Sequence, residues 1–453
     1  MKLSRRLLLL SAVSSLALTL VSCSSGSSNT QASLTAAQAA NAGNFKTTYF
    51  LGDSLTAGYQ SGSLIDTSQV NGWGPLVAKQ ANFPIVLPLI APPGAPNQLT
   101  LVKLGVPPVL GQLSGITKGR DDFSLQATNV AVPGALLNDV LNTVPLLTPT
   151  TGQQILNQLV LGYPGFGIGL VDSQAQLAAA AKPTTIFVWI GNNDALVADF
   201  TGTPASMTPI ATFTTQYQQL INYLQLNTSA HLVIANIPDV TAVPYLQPAA
   251  NILALYSAAS QLPVATLSVL FGIAPGDFVN QTGLAQIPLI LSGSQTTPIT
   301  DAGVLSAAEV VTVRAQVTAY NQVIAQNATA AGGTLVDINA LFAQVTANGI
   351  TVNGIPGTSA FLGGIFSLDG IHPTNTGYAI VANKFIDTMN AAFKTTIPDV
   401  DLVPIAAIDP LYPPYPGHPN ATPLARAASV NMLMPVIPQL SAERLKDLTG
   451  QQP

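Results

Sequence analysis

The chain has 453 residues, of which 48% are hydrophobic and only 8% charged, and its net charge is −5. This length provides for one large α/β domain with insertions or for two ordinary domains, and the lack of a basic stripe excludes nucleic acid as a partner. The single cysteine excludes a disulfide framework and a cysteine-based metal site.

Residues 1–23 have the pattern of a secretory signal peptide. Basic residues precede an apolar run over positions 7–21, which is too short to span a bilayer comfortably. The run ends in LVSC (20–23), which resembles a bacterial lipobox, in which the cysteine is lipidated and becomes the mature N-terminus. We therefore expect export and anchoring through lipidated Cys23. Ser24, rather than Asp, favours the outer membrane or cell surface over the inner membrane. The alternative is an ordinary signal peptide that ends in a chance cysteine.

The composition then divides the rest of the chain into three parts. Residues 24–44 are rich in Ser, Ala, Gln, Thr and Asn, which predicts a flexible tether. The strand and helix patterns that follow place a folded domain at 45–394. Prolines are frequent from Thr395 onward, which predicts a tail over 395–453 that either wraps the domain surface or stays mobile.

Short, continuously apolar, β-branched runs predict buried strands of a parallel sheet within this domain. They are TTYFLG (47–52), TTIFVWIG (184–191), HLVIANI (231–237) and TLVDIN (334–339). A helix is predicted from about Ser306 to Ala331, where apolar side chains recur on one face and two glycines follow. This alternation predicts an α/β fold, as a three-layer α/β/α sandwich whose functional loops lie beyond the carboxyl ends of the strands.

Two stretches are longer than the alternation of strands and helices requires, and we interpret them as insertions over the strand ends. One covers residues 60–125 and the other covers 245–333. The second contains the apolar segment 254–276, but Ser, Gln and Pro within it favour a buried or lid-like helix pair over a membrane span.

The stretch GDSL (52–55) places Ser54 where the first predicted strand gives way to a turn. A serine hydroxyl becomes a good nucleophile only when a base removes its proton. Among the three histidines, His231 begins a buried strand and His418 lies in the tail, whereas His372 precedes a predicted helix. Asp369 is spaced to turn back toward the His372 ring, so the pair is a candidate base with its orienting group.

The oxyanion of an acyl-transfer intermediate needs hydrogen-bond donors. The backbone N–H of Gly134, in the loop after a second predicted strand, and the side-chain amide of Asn193, after the strand at 184–191, are candidates. The Ser54 N–H would be the third. All three follow strands at the same predicted sheet edge. The alternative roles are structural, since Gly134 could permit a turn with positive φ and Asn193 could cap a helix.

These stretches resemble, in order, the four blocks of the GDSL or SGNH hydrolases. The blocks are GDSL (52–55), Gly134, GNND (191–194) and DGIH (369–372), and the resemblance covers about residues 45–394. It implies a mainly parallel, flavodoxin-like sheet of five strands. It also implies that Ser54 is the nucleophile, that Asp369 and His372 complete the triad, and that Gly134 and Asn193 join the Ser54 N–H in the oxyanion hole.

The resemblance implies a serine esterase or lipase. We expect this enzyme to be a monomer and to need no cofactor. The family also includes carbohydrate acetylesterases and acyltransferases, and the four blocks do not distinguish among them. The apolar segments 254–276 and 83–96 favour an acyl-binding cleft and thus a lipid ester, although they could simply complete a large core. A non-catalytic anchored binding protein is a further alternative. Three Asp residues and one His in these contexts favour the serine mechanism over a metal site.

Overall fold

The computed structural model describes residue 38 and residues 40–104, 108–162 and 171–413. The predicted signal peptide, Cys23, most of the predicted tether, His418 and the later part of the tail lie outside the described residues.

The strands are short and spread along the whole described chain. They are β1 (Thr48–Gly52), β2 (Leu99–Lys103), β3 (Val109–Gln112), β4 (Thr185–Trp189), β5 (His231–Ala235), β6 (Gln247–Pro248), β7 (Phe278–Val279), β8 (Val304–Leu305), β9 (Thr334–Val336), β10 (Ile350–Val352) and β11 (Ile355–Gly357).

The α-helices alternate with these strands. They are α1 (Ser54–Ala57), α2 (Asp66–Gln69), α3 (Trp73–Ala81), α4 (Leu137–Asn142), α5 (Gly152–Leu161), α6 (Gln174–Ala181), α7 (Asn192–Thr201), α8 (Ile210–Asn227), α9 (Ala249–Ser260), α10 (Val264–Phe271), α11 (Gln281–Leu291), α12 (Ala307–Ala330), α13 (Ile338–Asn348), α14 (Asn375–Phe393) and α15 (Leu402–Ile408). The helix predicted at 306–331 is α12, and Ser306 is its N-cap with Glu309 in a capping box.

The central sheet has the strand order β1-β4-β5-β9, and all its neighbouring strands are parallel. The prediction of an α/β fold with a mainly parallel sheet is therefore confirmed. The four strands are those predicted from the apolar runs, and their ends differ from the predicted ends by at most three residues.

The expectation of five strands is wrong, because the described sheet has four. The fifth position, beside β1, is held by residues 128–132, where the Phe50 N–H donates to the Thr128 carbonyl at 2.9 Å and the Val130 N–H donates to the Phe50 carbonyl at 3.0 Å. The segment makes a single bridge there, between Phe50 and Asn129. The Val132 N–H also donates to the Gly52 carbonyl at 3.1 Å, while the Asn129 side chain accepts the Ala131 N–H at 3.2 Å. The segment therefore runs beside β1 without forming a regular strand.

Helices cover both faces of the sheet. Every residue of β1, β4 and β5 is buried, which requires cover on each side. Phe187 of β4 packs against Trp73 of α3 and Phe385 of α14, and the last two rings stack with centroids 3.9 Å apart. The other layer is built on α8 and α12, which stack Phe213 on Tyr320 at 3.9 Å. The result is the predicted α/β/α sandwich.

The two predicted insertions contain small structural units of their own. Residues 60–125 include the antiparallel hairpin of β2 and β3. Residues 245–333 include the antiparallel sheet β6-β7-β8 and the helices α9 to α11. In the described part of the chain, no single helix has the length and apolarity of a membrane span, and α9 with α10, bent by 117°, meets that criterion only as a pair.

Residues near both ends of the described region contact the domain. The Gln38 side chain donates to the Gln225 carbonyl at 3.0 Å, within the segment predicted as a tether. In the segment predicted as a tail, the Asp409 carboxylate accepts the Thr376 N–H and hydroxyl at 2.8 Å each, and the Tyr412 hydroxyl donates to the Ile355 carbonyl. Residues 409–412 are therefore held against α14 and β11.

Candidate active site

Ser54 lies at the carboxyl edge of the sheet, directly after the first central strand. β1 ends at Gly52, and the Asp53 side chain caps α1 by accepting the Leu55 N–H at 3.0 Å, so that Ser54 begins the helix. Position 52 needs a glycine, because a Cβ there would lie 2.4 Å from the Trp189 carbonyl oxygen. The sequence therefore forces a close approach of β1 and β4 immediately before the serine.

A continuous chain of hydrogen bonds joins this serine to a histidine and an aspartate. Ser54 Oγ is 2.8 Å from His372 Nε2, although the two residues are 318 positions apart in the chain. His372 Nδ1 is 2.9 Å from Asp369 Oδ2. With the proton of the neutral imidazole on Nδ1, the ring donates to Asp369 and accepts the Ser54 hydroxyl. This is the geometry that general-base activation of a serine requires.

Asp369 is fully buried, and its two oxygens accept several further hydrogen bonds. The donors are the N–H groups of Gly62 (2.7 Å), Ile371 (2.9 Å) and His372 (2.9 Å) and the hydroxyl of Ser367 (3.2 Å). Burial opposes ionisation, but the charge of His372 and the hydrogen bonds from His372 and Ile371 outweigh it and hold the pKa of Asp369 below its ordinary value. The carboxylate is thus ionised and fixed in direction beside the ring.

Asn193 and its neighbour Asn192 begin α7, just beyond the carboxyl end of β4. The Asn193 side-chain amide donates one hydrogen to the Ala135 carbonyl at 2.9 Å, which leaves its second hydrogen for another acceptor. The Asn192 amide instead donates to the Asp53 carboxylate at 2.9 Å. The two asparagines therefore have different surroundings, and Asn193 is the one beside the Gly134 loop.

Gly134 has φ +79°, in the left-handed region that glycine adopts at no steric cost. It lies beside Ser54 in the lining of the same cavity. Among the described residues, neither the Gly134 N–H nor the Ser54 N–H donates to a protein acceptor. Because buried backbone N–H groups almost always have a partner, these two donors are suited to a ligand oxygen.

Two cavities open on the Ser54–His372 pair. The larger has a volume of about 360 Å³ and the smaller about 40 Å³. Apart from the serine and histidine, the larger is lined by Tyr59, Ala95, Pro96, Thr117, Pro133, Gly134, Gly152, Gln153, Ile155, Leu156, Asn193, Leu196, Phe200 and Ile371. Ala95 and Pro96 come from the apolar segment 83–96, which supports its predicted contribution to the cleft.

The segment 254–276 contributes no residue to the lining of either cavity, so its predicted part in the cleft is wrong. Leu267, Phe271 and Ile273 of this segment are buried, whereas Leu262, Val264, Val269 and Leu270 are exposed. The segment therefore contributes some of its apolar side chains to a core and leaves others on the surface.

Two residues that support the site have no distinguishing signal in the sequence. Gln174 begins α6, and its side chain both accepts the Gly52 N–H at 2.9 Å and donates to the Gly52 carbonyl at 3.0 Å. Tyr59 packs its ring against His372 with centroids 4.8 Å apart. The capping box of Ser173 and Gln176 marks the start of α6, but only the fold shows that the next side chain reaches the serine turn.

The other histidine among the described residues lies away from Ser54. His231 is at the start of β5, at the opposite edge of the sheet, where its Nε2 is 2.9 Å from the Thr334 hydroxyl. Burial lowers the pKa of His231. The described ranges contain no group of three or more His, Cys, Asp or Glu side chains placed to hold a metal ion.

Comparison with known proteins finds no match among curated proteins. An acetylxylan esterase from Geobacillus stearothermophilus, as a catalytic mutant, is 12% identical, with 76% of this chain and 94% of that chain covered and a TM-score of 0.35. An extracellular lipase from Streptomyces rimosus is 14% identical, with 77% and 99% covered and a TM-score of 0.33. These values are too low to indicate a substrate.

A family model described as GDSL-like lipase/acylhydrolase matches residues 49–385, which is most of the chain. The matched range contains all four sequence blocks, from the serine turn to the histidine loop. The chain therefore belongs to the GDSL-like lipase/acylhydrolase family and is a carboxylic ester hydrolase.

Proposed function

We propose that the protein hydrolyses lipid-like esters, which carry a long apolar chain, through a Ser54–His372–Asp369 triad. The observation that carries this proposal is the hydrogen-bond chain from Ser54 Oγ (2.8 Å) through His372 to Asp369 (2.9 Å), beside a cavity of about 360 Å³. In the first step Ser54 Oγ attacks the carbonyl carbon while His372 Nε2 takes the hydroxyl proton. Asp369 keeps the ring in the required tautomer and stabilises the imidazolium that forms.

The negative charge that develops on the carbonyl oxygen is met by three donors. They are the N–H groups of Ser54 and Gly134 and the second amide hydrogen of Asn193. Because the Asn193 amide is held by the Ala135 carbonyl, it is fixed before the substrate arrives. Such preorganised donors lower the barrier without reorganisation at the moment of reaction.

When the tetrahedral intermediate collapses, His372 gives its proton to the departing alkoxide and leaves an acyl group on Ser54. Water then attacks the acyl-enzyme with His372 again as base, and Ser54 is regenerated with release of the acid. Acceptance of an alcohol in place of water would make the same site an acyltransferase.

The lining of the larger cavity supports an apolar substrate. It includes no Asp, Glu, Lys or Arg side chain, and most of its surface is apolar. An apolar wall suits a hydrocarbon chain better than a sugar, whose buried hydroxyl groups need hydrogen-bond partners. A lipid ester is therefore favoured over an acetylated carbohydrate.

We also propose that the mature protein is exported and anchored to a bacterial membrane through a lipid on Cys23. The support is the sequence pattern of residues 1–23 and the polar segment that follows it. A lipid anchor would hold the domain near its substrates.

A fluorophosphonate probe tests the proposed chemistry, because it forms a covalent adduct only with an activated serine. We expect mass spectrometry to locate the adduct on Ser54, and we expect no adduct on Ser54→Ala. Absence of labelling in the wild-type protein would instead indicate a non-catalytic binding protein. Turnover of acetylated xylan in preference to p-nitrophenyl octanoate would indicate the acetylesterase alternative.

A further inference from the structure

The larger and the smaller cavity meet at the reacting atoms. Five residues line both of them: Ser54, Asn193, Leu196, Ile371 and His372. Three of these carry the proposed chemistry, and the other two are the apolar side chains of Leu196 and Ile371. Leu196 comes from α7, one turn after Asn193, and Ile371 comes from the loop between Asp369 and His372. The two side chains therefore lie at the boundary between the cavities.

The two cavities differ greatly in size. A volume of about 360 Å³ is in the range of binding pockets for whole small molecules, roughly 300–1000 Å³. A volume of about 40 Å³ holds roughly three water molecules. An ester has two substituents on its central carboxyl group, and here one can be long whereas the other can have only two or so heavy atoms.

The walls indicate what the long substituent is. Ile155 and Leu156 of α5 and Phe200 of α7 line the larger cavity, together with Ala95 and Pro96. Its lining has no carboxylate, ammonium or guanidinium group that would pair with a charged headgroup. The long substituent is therefore an uncharged hydrocarbon chain.

We infer that the preferred substrate is an asymmetric ester, with one long hydrocarbon arm in the larger cavity and one arm of acetyl or ethyl size in the smaller. Leu196 and Ile371 separate the two arms and so determine this asymmetry. The inference rests on the proposed function, since it concerns the site around Ser54. Whether the long arm is the acyl group or the alcohol is decided by the experiment, because the chain chemistry is the same in both.

Three isomeric esters provide the test with the full-length wild-type protein. Ethyl decanoate has a long acyl arm, decyl acetate has a long alcohol arm, and hexyl hexanoate has two arms of equal length. The isomers share one formula, so differences in general hydrophobicity are small. We expect kcat/KM for the better asymmetric ester to exceed that for hexyl hexanoate by at least about tenfold, as pocket discrimination by chain length gives. Equal values, or a preference for hexyl hexanoate, would overturn the inference.

Two variants test the assigned walls. Leu196→Ala removes part of the boundary, and we expect it to raise kcat/KM for hexyl hexanoate relative to the better asymmetric ester by about fivefold to tenfold. Ile155→Trp reduces the space for the long arm, and we expect it to lower kcat/KM for that ester relative to ethyl acetate by about tenfold. If these ratios of kcat/KM are unchanged in both variants, the assignment of Leu196 and Ile155 to the cavity walls is contradicted.

Ile210→Trp is the matched control for the second variant. Ile155 and Ile210 are 43% and 41% exposed, both lie on helices, and Ile210 lines neither cavity. We expect Ile210→Trp to leave both ratios unchanged. Labelling of Ser54 by the fluorophosphonate distinguishes failure of this inference from failure of the proposed function. Labelling without a preference among the isomers overturns only the cavity assignment, whereas absence of labelling overturns the proposed function.

Discussion

The side chain of Asn192 donates a 2.9 Å hydrogen bond to the carboxylate of Asp53. Asn192 precedes the proposed oxyanion donor Asn193, and Asp53 precedes the proposed nucleophile Ser54. The bond therefore joins the two loops at the carboxyl ends of β4 and β1. Asp53 in turn caps α1 through the Leu55 N–H. The two adjacent asparagines therefore have different roles. Asn192 holds the two loops together, and Asn193 has an amide hydrogen available to the substrate.

We expect Asn193→Ala to lower kcat by about 10²- to 10³-fold with little change in KM, because an oxyanion donor acts mainly in the transition state. Asn192→Ala should lower kcat much less, by about tenfold or under, because it acts only through Asp53. Steady-state kinetics on p-nitrophenyl butyrate measures both. A larger loss in Asn192→Ala than in Asn193→Ala would show that the third block has been assigned one residue out of place.

Ser54→Ala and His372→Ala should each lower kcat by about 10⁴- to 10⁶-fold, because nucleophile and base act as one unit. The double variant should be hardly slower than either single variant. Burst and steady-state kinetics on an activated ester, with circular dichroism to verify folding, provide the measurement. Multiplicative losses in the double variant would show that the two side chains act independently.

Asp199 makes the stability of the protein depend on pH. Its carboxyl group is fully buried, and neither oxygen has a hydrogen-bond partner among the described residues. Burial raises the pKa of Asp199 well above its ordinary value, and the charge of Asp239 raises it further. The folded protein therefore holds a proton that the unfolded chain releases above about pH 4.

The free energy of unfolding of the wild-type protein should consequently fall, from this group, by about 1.4 kcal/mol per pH unit between about pH 4 and the folded-state pKa of Asp199. Asp199→Asn cannot titrate, so its stability relative to wild type should increase as the pH rises. Burial also raises the pKa of Asp194 to about 7, but that contribution is common to both proteins. Urea unfolding at pH 5, 6, 7 and 8 measures the difference, and parallel pH profiles would contradict this account.

Cys23→Ser should abolish incorporation of a fatty-acid analogue and block normal processing of residues 1–23, because the proposed lipid is carried by that sulfur. Ser22→Ala, which keeps the cysteine and a small residue before it, is the control and should remain labelled. Metabolic labelling followed by fractionation is the measurement. Wild-type protein that takes up no label would show that residues 1–23 are an ordinary signal peptide.

The local sequence was sufficient to predict those strands and helix ends that are determined by a few neighbouring residues. The run TIFVW is apolar and β-branched, and it forms a fully buried central strand as predicted. Ser306 and Glu309 start α12 through a capping box that lies entirely within four residues. Ser54 and Asn193 follow the ends of β1 and β4, so a parallel sheet brings them to one edge without further information.

Other predictions failed where distant residues decide the outcome. A sheet of five strands was expected, but the described sheet has four, and residues 128–132 run beside β1 with a single bridge, between Phe50 and Asn129. The apolar segment 254–276 was expected at the cleft, yet it lines neither cavity, and Val264 and Val269 in it are exposed. An apolar run therefore shows neither which of its side chains will be buried nor which surface will bury them.

The sequence by itself determined the kind of fold and the four central strands, and it predicted the residues that would carry the chemistry, because strand propensity and helix caps act over a few residues. Only the tertiary structure decided that Gln174 holds Gly52, that Ser54 lies 2.8 Å from His372, and that a large and a small cavity meet there. Those features depend on contacts between residues more than 100 positions apart, and such distances arise only when all the elements pack together.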